Sequence, residues 1–372
     1  MKTIRVLIID DSALVRKLLT EILESDSAIE VCGTAVDAHA AREKIKRLKP
    51  DVLTLDVEMP KMDGITFLRN LMRLHPLPVI MISSLTEKGA VIAQQALELG
   101  ALDFVSKPKC DVAHTLKHYQ DEIIDKIKMA ATAHISATGL RQTLQIEDDG
   151  QTVAAAANDR LLDPSILQDS LIVIGASTGG TEAIKEILQQ LPPRLPGVLI
   201  TQHIPAVFST HFANRMNGVS GLTVCEAQDG QRILPGHAYI APGDRHLSIA
   251  HDSIGYHCEL DDGPPVNGHI PSVDVLFRSA ISSAGPNAIG VLLTGMGKDG
   301  AQGMKEMQEA GAYTIAQDEK TSVVWGMPGS AVKLGAANYI LPLGRIAKKI
   351  MSLLQGTGYV QKDSGYKISS GK

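Results

Sequence analysis

Short apolar runs alternate with amphipathic stretches through residues 4 to 130. The apolar runs are IRVLIID, IEVCGTAV, DVLTLD, PVIMIS and ALDFVS, and the segments between them repeat apolar residues at helical spacing, as at Leu14, Leu18 and Ile22. Apolar runs of this length are typical of strands buried on both faces, and the intervening spacing is typical of helices with one apolar face. This part of the chain therefore predicts a five-stranded, doubly wound parallel sheet.

A second alternation of the same kind begins at Leu171. It contains the apolar runs LIVIGAS, GVLITQH, AIGVLLTG and AYTIAQ, separated by helical stretches such as TEAIKEILQQL and VDVLFRSAISSA. The pattern predicts a second α/β sheet, so the fold class is two doubly wound parallel-sheet domains, the first flavodoxin-like and the second Rossmann-like. The intervening sequence has little periodicity. We predict domains at 1–125 and 169–358, a linker at 126–168 and a disordered polar tail at 359–372.

Composition narrows the classes of function. A chain of 372 residues is long enough for two cores, which agrees with the two alternating regions. The 3% aromatic content and the net charge of -5 argue against a nucleic-acid surface. The four cysteines show no C-x-x-C pair, and no apolar stretch is long enough to span a bilayer. The N-terminal apolar run ends in two aspartates rather than in a cleavage site, so we expect a cytoplasmic protein.

Acidic side chains follow two strands of the first predicted sheet. Asp10 and Asp11 come after the first strand and Asp56 ends the third, and strand ends of a parallel sheet meet at one edge. Three carboxylates at that edge repel one another unless a cation neutralises them, and an all-oxygen cluster suits Mg²⁺. Ser83 ends the fourth run and Lys107 follows the fifth, so both can reach the same place. Taken singly, the aspartates are explained as well by a helix cap or a turn.

These residues resemble those of a response-regulator receiver domain over residues 1 to 125. The match lies in Asp10-Asp11, in Asp56 within LTLDVEMPKMDG, in Ser83 within VIMISS, and in the run DFVSKP. The resemblance implies that Asp56 accepts a phosphoryl group and that Asp10, Asp11, Asp56 and a backbone carbonyl at Glu58 hold Mg²⁺. It also implies that Ser83 and Lys107 contact the phosphoryl group and that Phe104 is the aromatic switch residue.

A glycine-rich turn opens the second domain. Ser177 lies between Gly175 and Gly179 in the run VIGASTGG, where a strand passes into a helix. This spacing fits a serine nucleophile on a sharp turn, with backbone N–H groups that can stabilise an oxyanion. A glycine-rich loop at that place binds a phosphate or a dinucleotide equally well. The turn by itself therefore leaves these alternatives open.

The next strand favours the nucleophile. It ends in Gln202 and His203, whereas a dinucleotide fold would place an acidic residue there to bind the ribose. A histidine supplies the base that serine needs, and Asp299, after another strand, supplies an acid to orient it. The order Ser, His, Asp differs from that of the α/β-hydrolases. Rival residues in this half are His211, His237, His246, which is a credible substrate-side residue, His269, Asp229, Asp244 and Asp274.

The two halves together resemble the protein-glutamate methylesterase family of bacterial chemotaxis, over residues 1 to 355. The shared motifs are VIGASTGG, ITQHIPAVFSTHFANRM, YIAPGDRHL, PSVDVLF, LLTGMGKDGAQG and QDEKTSVVWGMPGSA, with small departures at Ala206 and Val207. The resemblance implies that Ser177 is the nucleophile, His203 the base and Asp299 the residue that orients the base. For the oxyanion donors we expect the backbone at Thr178 and Met296. The catalytic domain is expected to use no cofactor.

The family implies a phosphorylation-activated hydrolase of glutamate methyl esters, with glutamine deamidation as a second activity. The expected partners are chemoreceptors, as substrate, and the chemotaxis histidine kinase, as phosphodonor. We expect a monomer that binds no nucleic acid and does not insert into the membrane. We also expect it to associate with receptor arrays at the inner membrane. Two other classes compete. A receiver joined to a DNA-binding module would need a basic recognition helix, which the second half lacks. A non-enzymatic scaffold would require the alignment of Ser177, His203 and Asp299 to be a coincidence.

Overall fold

The computed structural model describes residues 3–59, 62–83, 87–107, 113–133 and 162–356. In the first domain the elements are β1 (Ile4–Ile9), α1 (Ala13–Glu24), β2 (Ile29–Ala35), α2 (Ala38–Leu48), β3 (Val52–Asp56), α3 (Gly64–Leu74), β4 (Val79–Ser83), α4 (Glu87–Glu98), β5 (Asp103–Ser106) and α5 (Ala113–Thr132). The strands form one parallel sheet in the order β2-β1-β3-β4-β5. This confirms the predicted flavodoxin-like domain.

Both faces of this sheet are buried, which is why its strands read as continuous apolar runs. Val6 and Ile8 of β1 face a cluster that includes Ile123 and Ile127 of α5. Leu7 and Ile9 face the opposite cluster, with α2 and α3. The alternation of β1 between two cores fixes its register, because a shift by one residue would exchange every side chain between them.

The second domain contains α6 (Pro164–Asp169), β6 (Leu171–Ala176), α7 (Gly180–Gln190), β7 (Gly197–Gln202), α8 (Ala206–Val219), β8 (Thr223–Glu226), β9 (His237–Ile240), β10 (His246–Asp252), β11 (Gly255–Asp261), α9 (Val273–Ala284), a 3₁₀ turn (Gly285–Asn287), β12 (Ala288–Leu292), α10 (Ala301–Glu309), β13 (Tyr313–Gln317), α11 (Met327–Lys333), β14 (Tyr339–Leu341) and α12 (Leu343–Leu354). Seven strands make a parallel sheet in the order β14-β13-β12-β6-β7-β9-β8. The predicted second α/β sheet is confirmed.

An antiparallel hairpin, β10 with β11, stands apart from that sheet and was not predicted. Glycines and prolines dominate the pattern of this stretch, so the sequence did not predict strands there. The alternation of buried Leu247 and Ile249 with less buried neighbours is nevertheless that of a strand with one covered face. Its buried face joins a core cluster with Phe277 of α9.

The predicted linker is helical at both of its ends. Helix α5 continues to Thr132, with Ile127 and Ala130 fully buried in the first domain's core, and α6 precedes β6. Residues 134–161 of the predicted linker, the predicted tail, and Pro60, Lys61 and Pro108 of the receiver motifs lie outside the described residues.

The two domains share an interface. Helix α4 of the first domain packs against α7 and α8 of the second, and one cluster of buried apolar residues continues across the contact. At its centre Phe104 stacks on Phe208, with ring centroids 4.3 Å apart. Arg215 of α8 lies between Glu98 of α4, at 2.6 Å, and Glu182 of α7, at 2.7 Å. The interface therefore combines an aromatic contact with an ion pair at its side.

Candidate functional site

Three carboxylates lie together at the carboxyl edge of the first sheet. Oxygen atoms of Asp10, Asp11 and Asp56 lie within 4.8 Å of one another. Lys107 Nζ lies 2.9 Å from Asp56 Oδ2 and 3.3 Å from Asp10 Oδ2. Helix α1 is capped by Ser12, whose hydroxyl accepts from the Val15 amide, so the aspartates are not needed as its cap. The structure thus brings together four of the five side chains that the sequence grouped at this edge, the three aspartates and Lys107.

The electrostatics of this cluster fit a divalent cation. Burial raises the pKa of Asp56 to about 6, and the charge of Asp10 adds to the rise against the opposing contact with Lys107. Burial also raises the pKa of Asp10. A single lysine thus leaves the carboxylates incompletely neutralised, and hard oxygen ligands at this spacing are those that Mg²⁺ prefers. The exposed Glu58 follows Asp56 closely, and its amide donates to Asp56 Oδ1 at 3.3 Å.

Two further receiver residues lie between this cluster and the interface. Ser83 is buried at the end of β4, and its hydroxyl donates to the carbonyl of Gly89 in α4 at 3.3 Å. Phe104 is buried in β5, where it stacks on Phe208 of the second domain. The predicted switch residue therefore contacts the catalytic half directly.

Ser177 occupies the turn from β6 into α7, as predicted. Gly179 has φ of 75°, a conformation that favours glycine, and it is the residue that immediately precedes α7. Gly295 passes so close to the serine that a Cβ there would lie 2.8 Å from Ser177 Cβ and 2.3 Å from Met327 Sδ. These close approaches hold the serine on a tight, largely buried turn at the carboxyl edge of the sheet.

His203 lies beside this turn, immediately after β7. Its amide donates to the Ala176 carbonyl at 3.1 Å, and the neighbouring Gln202 side chain donates to the Ser177 carbonyl at 2.8 Å. The Nε2 atom of His203 lies 3.0 Å from Asp299 Oδ2. Its Nδ1 atom is buried and has no hydrogen-bond partner among the described residues. Nδ1 is therefore the ring nitrogen that no other described residue engages.

Asp299 is buried and held by several donors. Its carboxylate accepts from the Ser272 hydroxyl at 2.8 Å, the Asn267 amide at 2.8 Å and the Val273 backbone N–H at 2.7 Å. Burial raises its pKa, but the hydrogen bond and charge of His203 and these donors outweigh burial, so the pKa lies well below its usual range. An ionised carboxylate only accepts hydrogen bonds, so Nε2 of His203 carries the proton and Nδ1 can accept one.

The rival residues have other surroundings. His246 is buried, its Nδ1 accepts from the Ser272 amide, and its Nε2 lies 3.1 Å from the Pro264 carbonyl, so both of its ring nitrogens contact the loop before α9. His237 contacts its own turn at Pro235. Asp274 lies in the first turn of α9 and accepts from the Gly303 amide. His269, in contrast, stacks on His203, which the sequence analysis did not foresee.

The residues expected at the oxyanion lie next to the first domain. The Thr178 hydroxyl donates to Asp103 Oδ2, a carboxylate of β5. Met296 packs against the apolar cluster that contains α5. Lys126 pairs with Asp103 Oδ1 at 3.3 Å and lies over the Phe104 ring. The first domain thus contacts the Ser177 turn at the residue that follows the serine.

The first domain carries a carboxylate cluster on a receiver-type fold, and it contacts a second α/β domain in which a serine turn, a histidine and a buried aspartate lie at the carboxyl edge of the sheet; together these define the class of receiver domains joined to a hydrolase domain. Comparison with known proteins gives the family. The family model described as CheB methylesterase matches residues 172–350, and that described as response regulator receiver domain matches residues 6–118.

Curated relatives match almost the whole chain. A protein-glutamate methylesterase/protein-glutamine glutaminase of Hydrogenovibrio crunogenus is 57% identical over 95% of this chain and 100% of its own length. One from Methylobacillus flagellatus is 54% identical over 95% of this chain and 97% of its own. The solved catalytic domain of Thermotoga maritima CheB methylesterase is 38% identical, with a TM-score of 0.49, over 50% of this chain and 98% of that domain. The chain belongs to the CheB methylesterase family.

Within the described residues, no helix combines the length and the apolar character needed to cross a membrane.

Proposed function

We propose that this protein is a phosphorylation-activated protein-glutamate methylesterase that hydrolyses glutamate methyl esters, and deamidates glutamines, on the cytoplasmic helices of chemoreceptors. The observation that carries this proposal is the hydrogen bond of His203 to a buried, ionised Asp299 beside the Ser177 turn, in a chain of this family. The relatives' names supply the substrate class.

In the proposed reaction the Ser177 hydroxyl attacks the γ-carbonyl carbon of a methylated glutamate while His203 Nδ1 takes its proton. The carbonyl oxygen becomes an oxyanion, for which the backbone N–H groups at Thr178 and Met296 are the proposed donors. His203 returns the proton to the departing methoxide, which leaves as methanol. Water then attacks the acyl-enzyme, with His203 as base, and releases the glutamate carboxylate.

Asp299 keeps the imidazole in the required tautomer. Its lowered pKa keeps it ionised throughout the neutral range, so it holds the Nε2 proton and stabilises the imidazolium that forms after proton transfer. The same steps apply to a glutamine side chain, from which ammonia leaves in place of methanol. One site can therefore serve both activities.

Methanol release from methylated receptor membranes tests the enzymatic proposal. Ser177→Ala should lower the rate by several orders of magnitude, because the nucleophile is lost. Ser282→Ala, an exposed serine of α9, is the matched control and should retain the rate. If Ser177→Ala turned over methylated receptor at the rate of the unaltered protein, the proposed nucleophile would be wrong.

The first domain is the proposed control element. Asp56 is the phosphoacceptor, Lys107 contacts the phosphoryl group, and the side chains of Asp10, Asp11 and Asp56 with the Glu58 carbonyl hold Mg²⁺. When bound, Mg²⁺ neutralises charge on the phosphoryl oxygens and on the carboxylates around them. We propose that Ser83 exchanges its bond to the Gly89 carbonyl for one to the phosphoryl group. The histidine kinase of the same pathway is the proposed phosphodonor.

The interdomain contacts support control by covering the site. Thr178, which follows the nucleophile, donates to Asp103, and the Phe104–Phe208 stack lies at the same interface. Phosphorylation that weakens these contacts would shift the population towards an open arrangement in which the receptor reaches Ser177.

Radiolabelled phosphate from a small phosphodonor, with Mg²⁺, tests this control. Asp56→Asn should take up no label and should lose activation. Asp121→Asn, an exposed aspartate of α5, should behave as the unaltered chain does. Full labelling of Asp56→Asn would overturn the assignment of the phosphoacceptor.

A further inference from the structure

The ring of His203 lies against a second histidine. The His269 and His203 ring centroids are 3.9 Å apart and the ring planes differ by 11°, so the two imidazoles are stacked face to face. The side chain of His203 is 9% exposed, and His269 covers one face of its ring. Among the described residues, hydrogen bonding fixes the His203 ring at one edge, through Nε2.

His269 stands at the end of a tight turn. Val266 and His269 exchange two backbone hydrogen bonds of 3.1 and 3.0 Å, and the two residues between them, Asn267 and Gly268, have φ of 54° and 81°. Positive φ at both central positions is the geometry of a two-residue hairpin turn that Asn-Gly favours. The position of His269 is therefore set by a well-defined backbone turn.

The same turn also holds the acid. The Asn267 side-chain amide donates to Asp299 Oδ1 at 2.8 Å and to Asp274 Oδ2 at 2.7 Å. One four-residue turn thus contacts Asp299 through Asn267 and the imidazole through His269. The relative placement of base and acid is tied to this turn as well as to their own strands.

We propose that His269 is a positioning residue for His203: its ring, held by the Val266–His269 turn, keeps the His203 ring in the plane that directs Nε2 to Asp299 and Nδ1 to Ser177. A half-turn of the imidazole about its Cβ–Cγ bond exchanges the positions of ring nitrogen and carbon atoms. A tilt of the ring lengthens the hydrogen bonds at both Nε2 and Nδ1. A parallel ring in van der Waals contact opposes the tilt without competing for either nitrogen. The proposal rests on the proposed triad, and it makes ring stacking, rather than the chemistry of the second imidazole, the property that matters.

The test compares His269→Ala, His269→Phe and the control His251→Ala in the full chain, with phosphodonor and Mg²⁺ present. Phe keeps a flat ring, Ala removes it, and His251 is an exposed histidine of the hairpin that contacts Tyr256. The first measurement is the downfield proton resonance of the His203 Nε2–H, identified by its absence in His203→Gln. The second is the rate at which a fluorophosphonate labels Ser177, a reaction in which the serine oxygen displaces fluoride and gives its proton to His203.

We expect a sharp resonance and labelling within about threefold of the unaltered rate for His269→Phe and His251→Ala. For His269→Ala we expect a broadened resonance and labelling about 10- to 100-fold slower, the effect of a misplaced catalytic group. In methanol release the loss should fall on kcat and leave KM unchanged. Unfolding midpoints of the three variants confirm that each is folded.

Two outcomes would overturn the proposal. The first is His269→Ala with an unchanged resonance and labelling rate. The second is His269→Phe as impaired as His269→Ala, which would assign the effect to the imidazole itself. Absence of methanol release from the unaltered protein, with the resonance and labelling behaving as expected, would instead refute the proposed substrate and leave the positioning role intact.

Discussion

The hydrogen bond between Thr178 and Asp103 gives the sharpest prediction about regulation. Thr178→Val replaces the hydroxyl by a methyl group of the same shape, and it leaves the backbone N–H next to Ser177 in place. The change removes the donor to Asp103 from an interface that lies beside the nucleophile. We expect the unphosphorylated protein to become more active, because its covered arrangement loses a contact that the open one does not make.

The magnitude follows from the surroundings of Asp103. A hydrogen bond to a charged acceptor contributes about 1.5–3 kcal/mol when its loss leaves the acceptor unpaired. Asp103 keeps Lys126 Nζ at 3.3 Å and the Phe104 amide at 2.7 Å, so its charge stays partnered after the substitution. The expected shift is therefore about 1–2 kcal/mol, which corresponds to a rise of roughly 5- to 30-fold in basal turnover, limited above by the phosphorylated rate.

The assay is methanol release from methylated receptor membranes, without and with phosphodonor. Thr210→Val is the matched control, since the Thr210 hydroxyl also donates to a carboxylate, Glu226, at 2.8 Å, but on the exposed side of α8. Thr178→Val should raise the basal rate and leave the phosphorylated rate within about twofold, whereas Thr210→Val should leave both rates near those of the unaltered protein. An unphosphorylated rate equal to that of Thr210→Val would refute the reasoning.

Three further predictions concern the interface, the carboxylate cluster and the nucleophile turn. Glu98→Gln weakens the ion pair between the half-exposed Glu98 and the largely buried Arg215, which keeps Glu182 as a second partner, so basal turnover should rise less than about fivefold, below the effect of Thr178→Val in the same assay. Ionisation of Asp56, whose pKa is about 6 against an ordinary 3.8, costs native stability, so in EDTA the free energy of unfolding should fall as pH rises between these values. Asp56→Asn should lose this fall and gain ~1–3 kcal/mol over the unaltered chain above that window in urea unfolding; equal pH dependence of the two proteins would contradict the prediction. Gly295→Ala forces a Cβ against Met327 and Ser177 and should lower turnover more than about tenfold, whereas Gly218→Ala, with open space around it, should not; equal turnover of the two variants would rule out the packing argument.

The sequence predicted both sheets because parallel strands covered on two faces give apolar runs that only buried strands explain. It also predicted that Asp10, Asp56 and Lys107 meet, because they follow strands that end at one edge. For the same reason it placed Ser177, His203 and Asp299 together. Strand order and the carboxyl-edge rule are properties of the fold, so residues at strand ends can be located without coordinates.

Contacts made by loops and by the other domain were not predictable in that way. The partners of Asp299 at Asn267 and Ser272 come from a loop far along the chain, whose path depends on the packing of α9. The Asn267-Gly268 pair did carry a local turn signal, which would have placed Val266 and His269 opposite each other. Nothing in the sequence pairs Thr178 with Asp103, because that bond depends on how two separate cores meet.

The strand β5 has a consequence for how this protein tolerates change. Asp103 and Phe104 begin the strand at the domain interface, and Lys107 follows its end beside Asp56. Four residue steps of extended chain span roughly 13 Å, so the carboxylate cluster and the domain interface are joined by one short segment. Deletion of a single residue there would exchange the faces of Asp103 and Phe104 and separate Lys107 from its partners together. The length of this segment is therefore constrained both by the domain interface at Asp103 and Phe104 and by the carboxylate cluster at Lys107.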